Sequence, residues 1–107
     1  MRLDTTNRFG YSGPVIASFA DPETEALFRR EMVRRFDPRI QVAALRKLRY
    51  LAAAASLEDL RVPPSNRLEA LRGELAGRWS IRINDQWRIC FRFENGDAYE
   101  VEIVDYH

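Results

Sequence analysis

One cysteine, one histidine and one lysine are all that this chain of 107 residues carries of those three residue types. A lone Cys90 excludes an internal disulfide and a cysteine-rich zinc site, and it fits a reducing cytoplasm. A single imidazole excludes the paired histidines of an HExxH zinc helix. No Walker loop, GxSxG elbow or dinucleotide fingerprint is present either. No apolar run approaches the roughly 18 residues of a membrane-spanning helix, and the start, MRLDTTNRFGYSGP, lacks the apolar stretch of a secretory signal. With 46% hydrophobic and 31% charged residues, the composition is that of a soluble globular chain rather than a disordered one. The length allows one modest core.

What is abundant is arginine. Seventeen side chains are basic, and Lys47 is the single lysine among them. Arginine offers a planar fork of donors that matches phosphate geometry. A GC-rich genome would also enrich it everywhere, so the placement of the arginines carries weight and their number does not.

Residues 1–13 have no periodicity and read as a loose arm; residues 14–107 read as a single domain. Val15–Phe19 has the character of a short first strand. Asp21-Pro22 is an N-cap followed by proline at the first helical position, with Glu23 and Glu25 suited to the positive end of the helix dipole. Leu27, Phe28, Met32, Val33 and Phe36 continue at helical spacing, predicting a helix to about Arg35. Asp37-Pro38 repeats the start signal for a second helix with a stripe of Leu45, Leu48, Leu51, Ala52 and Ala55. Pro63-Pro64 forces an extended connection. Residues 66–71 are expected to be extended or a short edge strand, and Gly73 and Gly77 flank a turn.

The last thirty residues, RWSIRINDQWRICFRFENGDAYEVEIVDYH, alternate as a β-meander. A three-residue turn, Asn84 to Gln86, sets Ile83 opposite Trp87 and Trp79 opposite Phe91. The other face then carries Arg82 across from Arg88, Ser80 from Cys90, and Arg78 from Arg92. Asn95-Gly96 is the strongest short hairpin signal, but a two-residue turn there would set Phe91 against Glu100 and mix the faces. A three-residue loop keeps them apart, pairing Phe93 with Tyr99 and Ile89 with Ile103. It also sets Glu100 beside Arg92 and leaves Arg82 and Arg88 without an acidic cross-strand partner. Like charges placed so cost up to roughly 1 kcal/mol. Either an anion belongs between them, or they are a solvated pair screened by salt.

His107 directly follows Asp105 and Tyr106 at the end of a predicted core strand. A terminal histidine is often only a frayed residue, yet imidazole is the side chain best suited to proton transfer near neutral pH. Tyr106 has the phase to reach the arginine face, and Asp105 the core phase. Cys90 reads as a small buried hydrophobe. Trp79 and Trp87 read as core, and Met32 and the leucines as helix–helix packing.

NRLEALRG (Asn66 to Gly73), GRWSIRINDQWRICF (Gly77 to Phe91) and VEIVDYH (Val101 to His107) together resemble the HigB branch of the RelE-type toxins. IASFADPETEALF (Ile16 to Phe28) resembles that branch's opening strand and helix, so the likeness spans about residues 15–107. It implies an α+β fold, with two N-terminal helices packed on a small twisted antiparallel sheet that ends in the meander. It further implies the toxin half of a type II toxin–antitoxin pair: a cytoplasmic endoribonuclease that enters the ribosome and cuts mRNA without a metal or other cofactor. The implied partners are the ribosome, its message and a cognate helix-turn-helix antitoxin, with no membrane.

The positions matching the family's working residues are Arg72, Arg82, Arg88, Asp105, Tyr106 and His107. The implied roles are phosphate binding for Arg82, Arg88 and Arg72, and acid–base chemistry for His107 with help from Tyr106. Asp105 would orient His107 or anchor the tail. Related toxins often carry lysine where Arg72 stands. On this reading Arg88→Ala leaves a folded but inactive domain. The competing class is a non-catalytic RNA-binding or antitoxin-binding regulatory relative. The near-neutral net charge of +1 suits a protein delivered to a site formed by the ribosome better than a free-standing nuclease relying on long-range attraction.

Overall fold

The computed structural model describes residues 15–106. The arm at residues 1–13 and His107 lie outside them. Helix α1 spans Pro22–Phe28 and α2 spans Pro38–Ala53. Strands β1 (Glu69–Ala70), β2 (Trp79–Arg82), β3 (Trp87–Glu94) and β4 (Asp97–Asp105) form one antiparallel sheet in the order β1-β2-β3-β4. The α+β architecture expected from the sequence is the one observed.

Both helices start where their caps predict. Asp21 accepts from the Glu23 N–H at 3.1 Å, and Asp37 from the Arg39 N–H at 2.8 Å, each with proline next in the chain. The first helix stops well short of Arg35, however. The Glu31 N–H reaches back to the Ala26 carbonyl and the Arg30 N–H to Leu27, both at 2.9 Å. This Schellman closure has Arg30 in the left-handed region at φ 68°. Glycine normally marks that position, and no glycine is there to be read. Beyond it Met32 points outward, 82% exposed, and does not pack between helices, while Val33 and Phe36 still enter the core from irregular backbone.

The buried stripe of α2 is also rotated from the expected one. Ala44, Lys47, Leu48 and Leu51 are inside, Leu45 is half-buried, and Ala55, beyond the helix, is exposed. The rotation carries the chain's one lysine inward. Val15–Phe19 forms a single parallel bridge, Phe19 to Val101, instead of a strand. A regular ladder cannot extend there because β4 is irregular at Glu100, whose N–H is taken by Ser18 Oγ at 2.9 Å. The chain then passes Pro63-Pro64 in two short 3-10 turns, Leu57–Arg61 and Pro64–Asn66, and enters β1 as the expected edge strand.

In the meander, the Ile83 N–H donates to the Trp87 carbonyl at 2.9 Å, closing the three-residue turn. Trp79 faces Phe91, Ser80 faces Cys90 and Arg82 faces Arg88, as predicted. The second turn resolves the conflict between turn and register in a different way. Glu94 pairs with Asp97, so Asn95-Gly96 is the whole turn, with φ of 52° and 82°; this is the hairpin turn the dipeptide favours. The strands then slip by one residue between Cys90 and Arg92, with Glu100 in the left-handed region at φ 54°. This bulge restores the faces, so Ile89 meets Ile103 as expected. Above it, Phe93 pairs with Ala98 and Arg92 with Tyr99, correcting the Phe93–Tyr99 pairing.

Leu27, Leu48, Leu51, Ile81, Ile89, Phe91, Val101 and Ile103 form the core between the helices and one face of the sheet. Burying each such side chain is worth about 1.5–3 kcal/mol. The other face carries the arginines.

Candidate functional site

Sheet pairing alone brings two of the predicted residues together. Arg82 and Arg88 stand opposite each other on β2 and β3, and Arg88 continues the row to Val104 on β4. The alternation that buries Ile81 and Ile89 puts these guanidinium groups on the same side. Tyr106 arrives there too: its ring centre is 5.3 Å from the Arg88 guanidinium carbon, within cation–π range. The Tyr106 N–H donates to the Gln86 carbonyl at 2.6 Å, pinning the end of β4 to the β2–β3 turn.

The two arginines do have acidic partners, contrary to the reading from strand order alone. Arg82 Nη2 bonds Asp85, three residues on in the turn. Arg88 Nη2 lies 3.7 Å from Glu69 Oε1 on the edge strand. Glu69 is opposite Ser80, which puts it on the arginine face; the sequence signal for this is the alternation of residues 67–70.

The two guanidinium groups differ in setting. The Asp85 side chain is 94% exposed, so its hold on Arg82 is a solvated pair of little net energy. Arg88 is only 8% exposed. Its Nε donates to Ser80 Oγ at 2.8 Å, and Nη2 donates to the Arg67 carbonyl at 2.7 Å and more weakly to the Ser80 carbonyl at 3.4 Å. Removing Arg88 would strand these acceptors, so an alanine there is not structurally silent.

Farther along the face, Glu100 holds Arg78 at 2.7 Å and Arg92 Nε at 3.5 Å. The expected Arg92–Glu100 pair is present, but shared. Glu94 also holds Arg92, at 2.6 Å, so those two arginines are engaged by acids from their own face.

Arg72 is exposed at the start of the 3-10 turn Gly73–Leu75. Among the described residues no carboxylate or carbonyl that holds Arg82 or Arg88 also holds Arg72. Asp105 pairs with Trp87 in the ladder, as its core phase requires, yet lies exposed at the sheet end and accepts from Gln86 Nε2 at 3.0 Å. Cys90 is buried, and burial pushes its thiol up to about 11, with Glu102 adding to the shift. Lys47 and Asn66, both buried, are bonded to each other at 2.6 Å next to Arg67, and no local sequence signal marks either. Among the described residues no group of three or more His, Cys, Asp or Glu is gathered as a metal site, and no helix is long and apolar enough to cross a membrane.

The geometry defines a class of small α+β protein, helices on one side of a sheet and an arginine–tyrosine cluster on the other. The chain belongs to the family described as RelE-like toxin of type II toxin–antitoxin system HigB, which matches residues 17–107. It is 42% identical to Toxin HigB-1 of Vibrio cholerae over 81 residues, covering 75% of this chain and 85% of that one. It is 49% identical to Endoribonuclease HigB of Proteus vulgaris over 41 residues, 38% of this chain and 45% of that one. Among solved structures it resembles the toxin–antitoxin complex RelBE2 of Mycobacterium tuberculosis, with 22% identity, coverage of 85% and 92%, and a TM-score of 0.46.

Proposed function

We propose that this toxin is a ribosome-dependent endoribonuclease of the cytoplasm that cuts mRNA during translation through the RNA's own 2′-hydroxyl. The observation that carries the reading is the pairing of Arg82 with Arg88, whose guanidinium lies against the Tyr106 ring, next in sequence to the chain's one imidazole. The 2′-oxygen attacks the adjacent phosphorus and the bond to the 5′-oxygen breaks, giving a 2′,3′-cyclic phosphate and a 5′-hydroxyl. Two things lower that barrier: proton transfer, worth roughly 10²–10⁴-fold, and donors aimed at the developing phosphorane charge.

Arg82 is the more accessible donor; the phosphate takes the place of Asp85 on it. Arg88 adds its charge from a fixed position and orients Tyr106. His107 moves the protons, Tyr106 positions the base or shares that work, and Asp105 holds the segment leading to them. Arg72 contacts RNA outside the scissile phosphate. No step requires a metal. Residues 14–107 act as one toxin domain, with residues 1–13 as an appended arm.

The toxin's partner is a cognate antitoxin of helix-turn-helix type. The outer side of α2 offers it a place: Val42 and Met32 are exposed beside Leu45, and the groove they line holds Arg30 and Arg49 against a single acid, Glu31, itself held by Arg29. An amphipathic segment with acidic flanks complements it. That groove faces away from Ala44, Leu48 and Leu51, which pack on the sheet, so a partner there leaves Arg82 uncovered.

The test uses purified toxin and preformed ribosome–message complexes. Cleavage at a defined position is expected, with a 5′-hydroxyl on the downstream fragment, and a 2′-deoxy nucleotide at the cut should abolish it. Ribosome binding without any cleavage product would instead support a non-catalytic relative. Cleavage undiminished by the deoxy substitution would refute the mechanism.

A further inference from the structure

Lys47 is 5% exposed, and among the described residues no carboxylate forms an ion pair with it: Nζ donates to Asn66 Oδ1 at 2.6 Å and to Ser65 Oγ at 3.5 Å, and lies 5.5 Å from the Tyr50 ring centre. Burial lowers its pKa, and the positive charges of Arg46 and Arg82 add to that. The ammonium is therefore near enough to the arginine cluster to feel it. A leucine at this buried helix position would serve packing at least as well, because replacing buried ionic groups by apolar ones is often neutral or stabilising. A buried lysine in such a place calls for a reason other than core stability.

Asn66, fully buried, supplies the connection. While its Oδ1 accepts from Lys47, its Nδ2 donates to the Leu60 carbonyl at 3.1 Å and to the Val62 carbonyl at 3.3 Å. One amide thus ties α2 to both ends of the Pro63-Pro64 passage. The next residue, Arg67, is set in the left-handed region at φ 47° and ψ 57°, its N–H on the Pro64 carbonyl at 3.0 Å. Residues with a Cβ seldom adopt that conformation unless their surroundings impose it. It turns the Arg67 carbonyl to accept from Arg88 Nη2 at 2.7 Å, the shortest bond that guanidinium makes.

We infer that Lys47 and Asn66 are positioning residues for Arg88: they fix the left-handed Arg67 carbonyl, which together with Ser80 sets the plane of the Arg88 guanidinium under Tyr106. The helix layer thereby controls a group on the far face of the sheet. The inference rests on Arg88 belonging to the reactive site, and its test separates the two ideas.

The experiment compares full-length wild type, Lys47→Met and Asn66→Asp, the last keeping an acceptor for Lys47 while removing both donors to the passage. The first readout needs no activity: the side-chain Nε–H signal of Arg88 in ¹⁵N-labelled protein. Hydrogen-exchange protection of that proton is expected to fall about tenfold or more in either variant, with the Arg78 and Arg92 signals unmoved. The second readout is single-turnover cleavage on preformed ribosome complexes. A positional error of this kind can cost up to about a hundredfold; we expect a loss of about tenfold or more in rate, with half-saturating ribosome concentration unchanged. In an Arg88→Lys background Lys47→Met should cause no further fall.

An unchanged Arg88 signal in whichever variant folds would overturn the inference. So would an equal tenfold fall in the Arg88→Lys background, which marks a general structural role. A wild-type protein that does not cleave would defeat the endoribonuclease reading, and the Arg88 signal would still decide the positioning role.

Discussion

Arg82 stands directly opposite Arg88 in the ladder between β2 and β3, yet the two are held very differently. An exposed turn carboxylate holds the first; two carbonyls, a serine hydroxyl and an edge-strand glutamate surround the second. Equal positions in the sheet therefore give unequal consequences on substitution.

Arg88→Ala should reduce stability as well as activity. It strands the buried Ser80 hydroxyl and leaves the partly buried Arg67 carbonyl without this donor, which costs about 1–3 kcal/mol. A lower urea midpoint with an unchanged slope is the expected result. An unmoved midpoint would mean these bonds contribute nothing net.

Gly96→Ala tests the hairpin that set the register. The φ of 82° disfavours any side chain, and a Cβ there would come within 3.3 Å of the Ala55 carbonyl. We expect a loss of about 1–2 kcal/mol, read by thermal or urea unfolding. The same replacement at Gly77, where a Cβ would meet nothing within 4 Å, should cost no more than the backbone term.

Cys90 should be inert in the native protein. A thiol raised from 9.0 to about 11 holds its proton throughout the neutral range, and thiolate is the reactive form. At pH 8 a disulfide reagent should modify it at least about a hundredfold more slowly than in urea. Equal rates would show that the strand is open.

Val42→Asp places a negative charge in the groove on the outer side of α2. Antitoxin protection during co-expression should weaken while toxicity without antitoxin persists. If protection is undiminished, the antitoxin binds elsewhere.

Much of this was legible in the sequence because the relevant signals are local. Asp21-Pro22 and Asp37-Pro38 mark helix starts, and strict alternation from Trp79 to Phe93 fixes which residues share a face. The phase of Tyr106 followed from the same count. What escaped depended on residues with no local signal. Arg30 ends α1 where glycine would normally announce the stop. The bulge at Glu100 reconciles a two-residue turn with the correct faces, a solution that hydrophobic pattern alone does not single out. Glu69 reaches Arg88 from an edge strand and Lys47 bonds Asn66 from a helix, contacts between segments distant in sequence that only the folded chain makes.

The most direct test of the arginine pair as an RNA-cleaving site is the single-turnover rate of Arg82→Ala on preformed ribosome–message complexes. Its partner Asp85 is solvated, so the unfolding free energy should change by no more than about 0.5 kcal/mol. Loss of a donor to the developing phosphate charge should lower the rate about 10²–10³-fold while ribosome binding is retained. A stable variant that cuts at the wild-type rate would contradict the account.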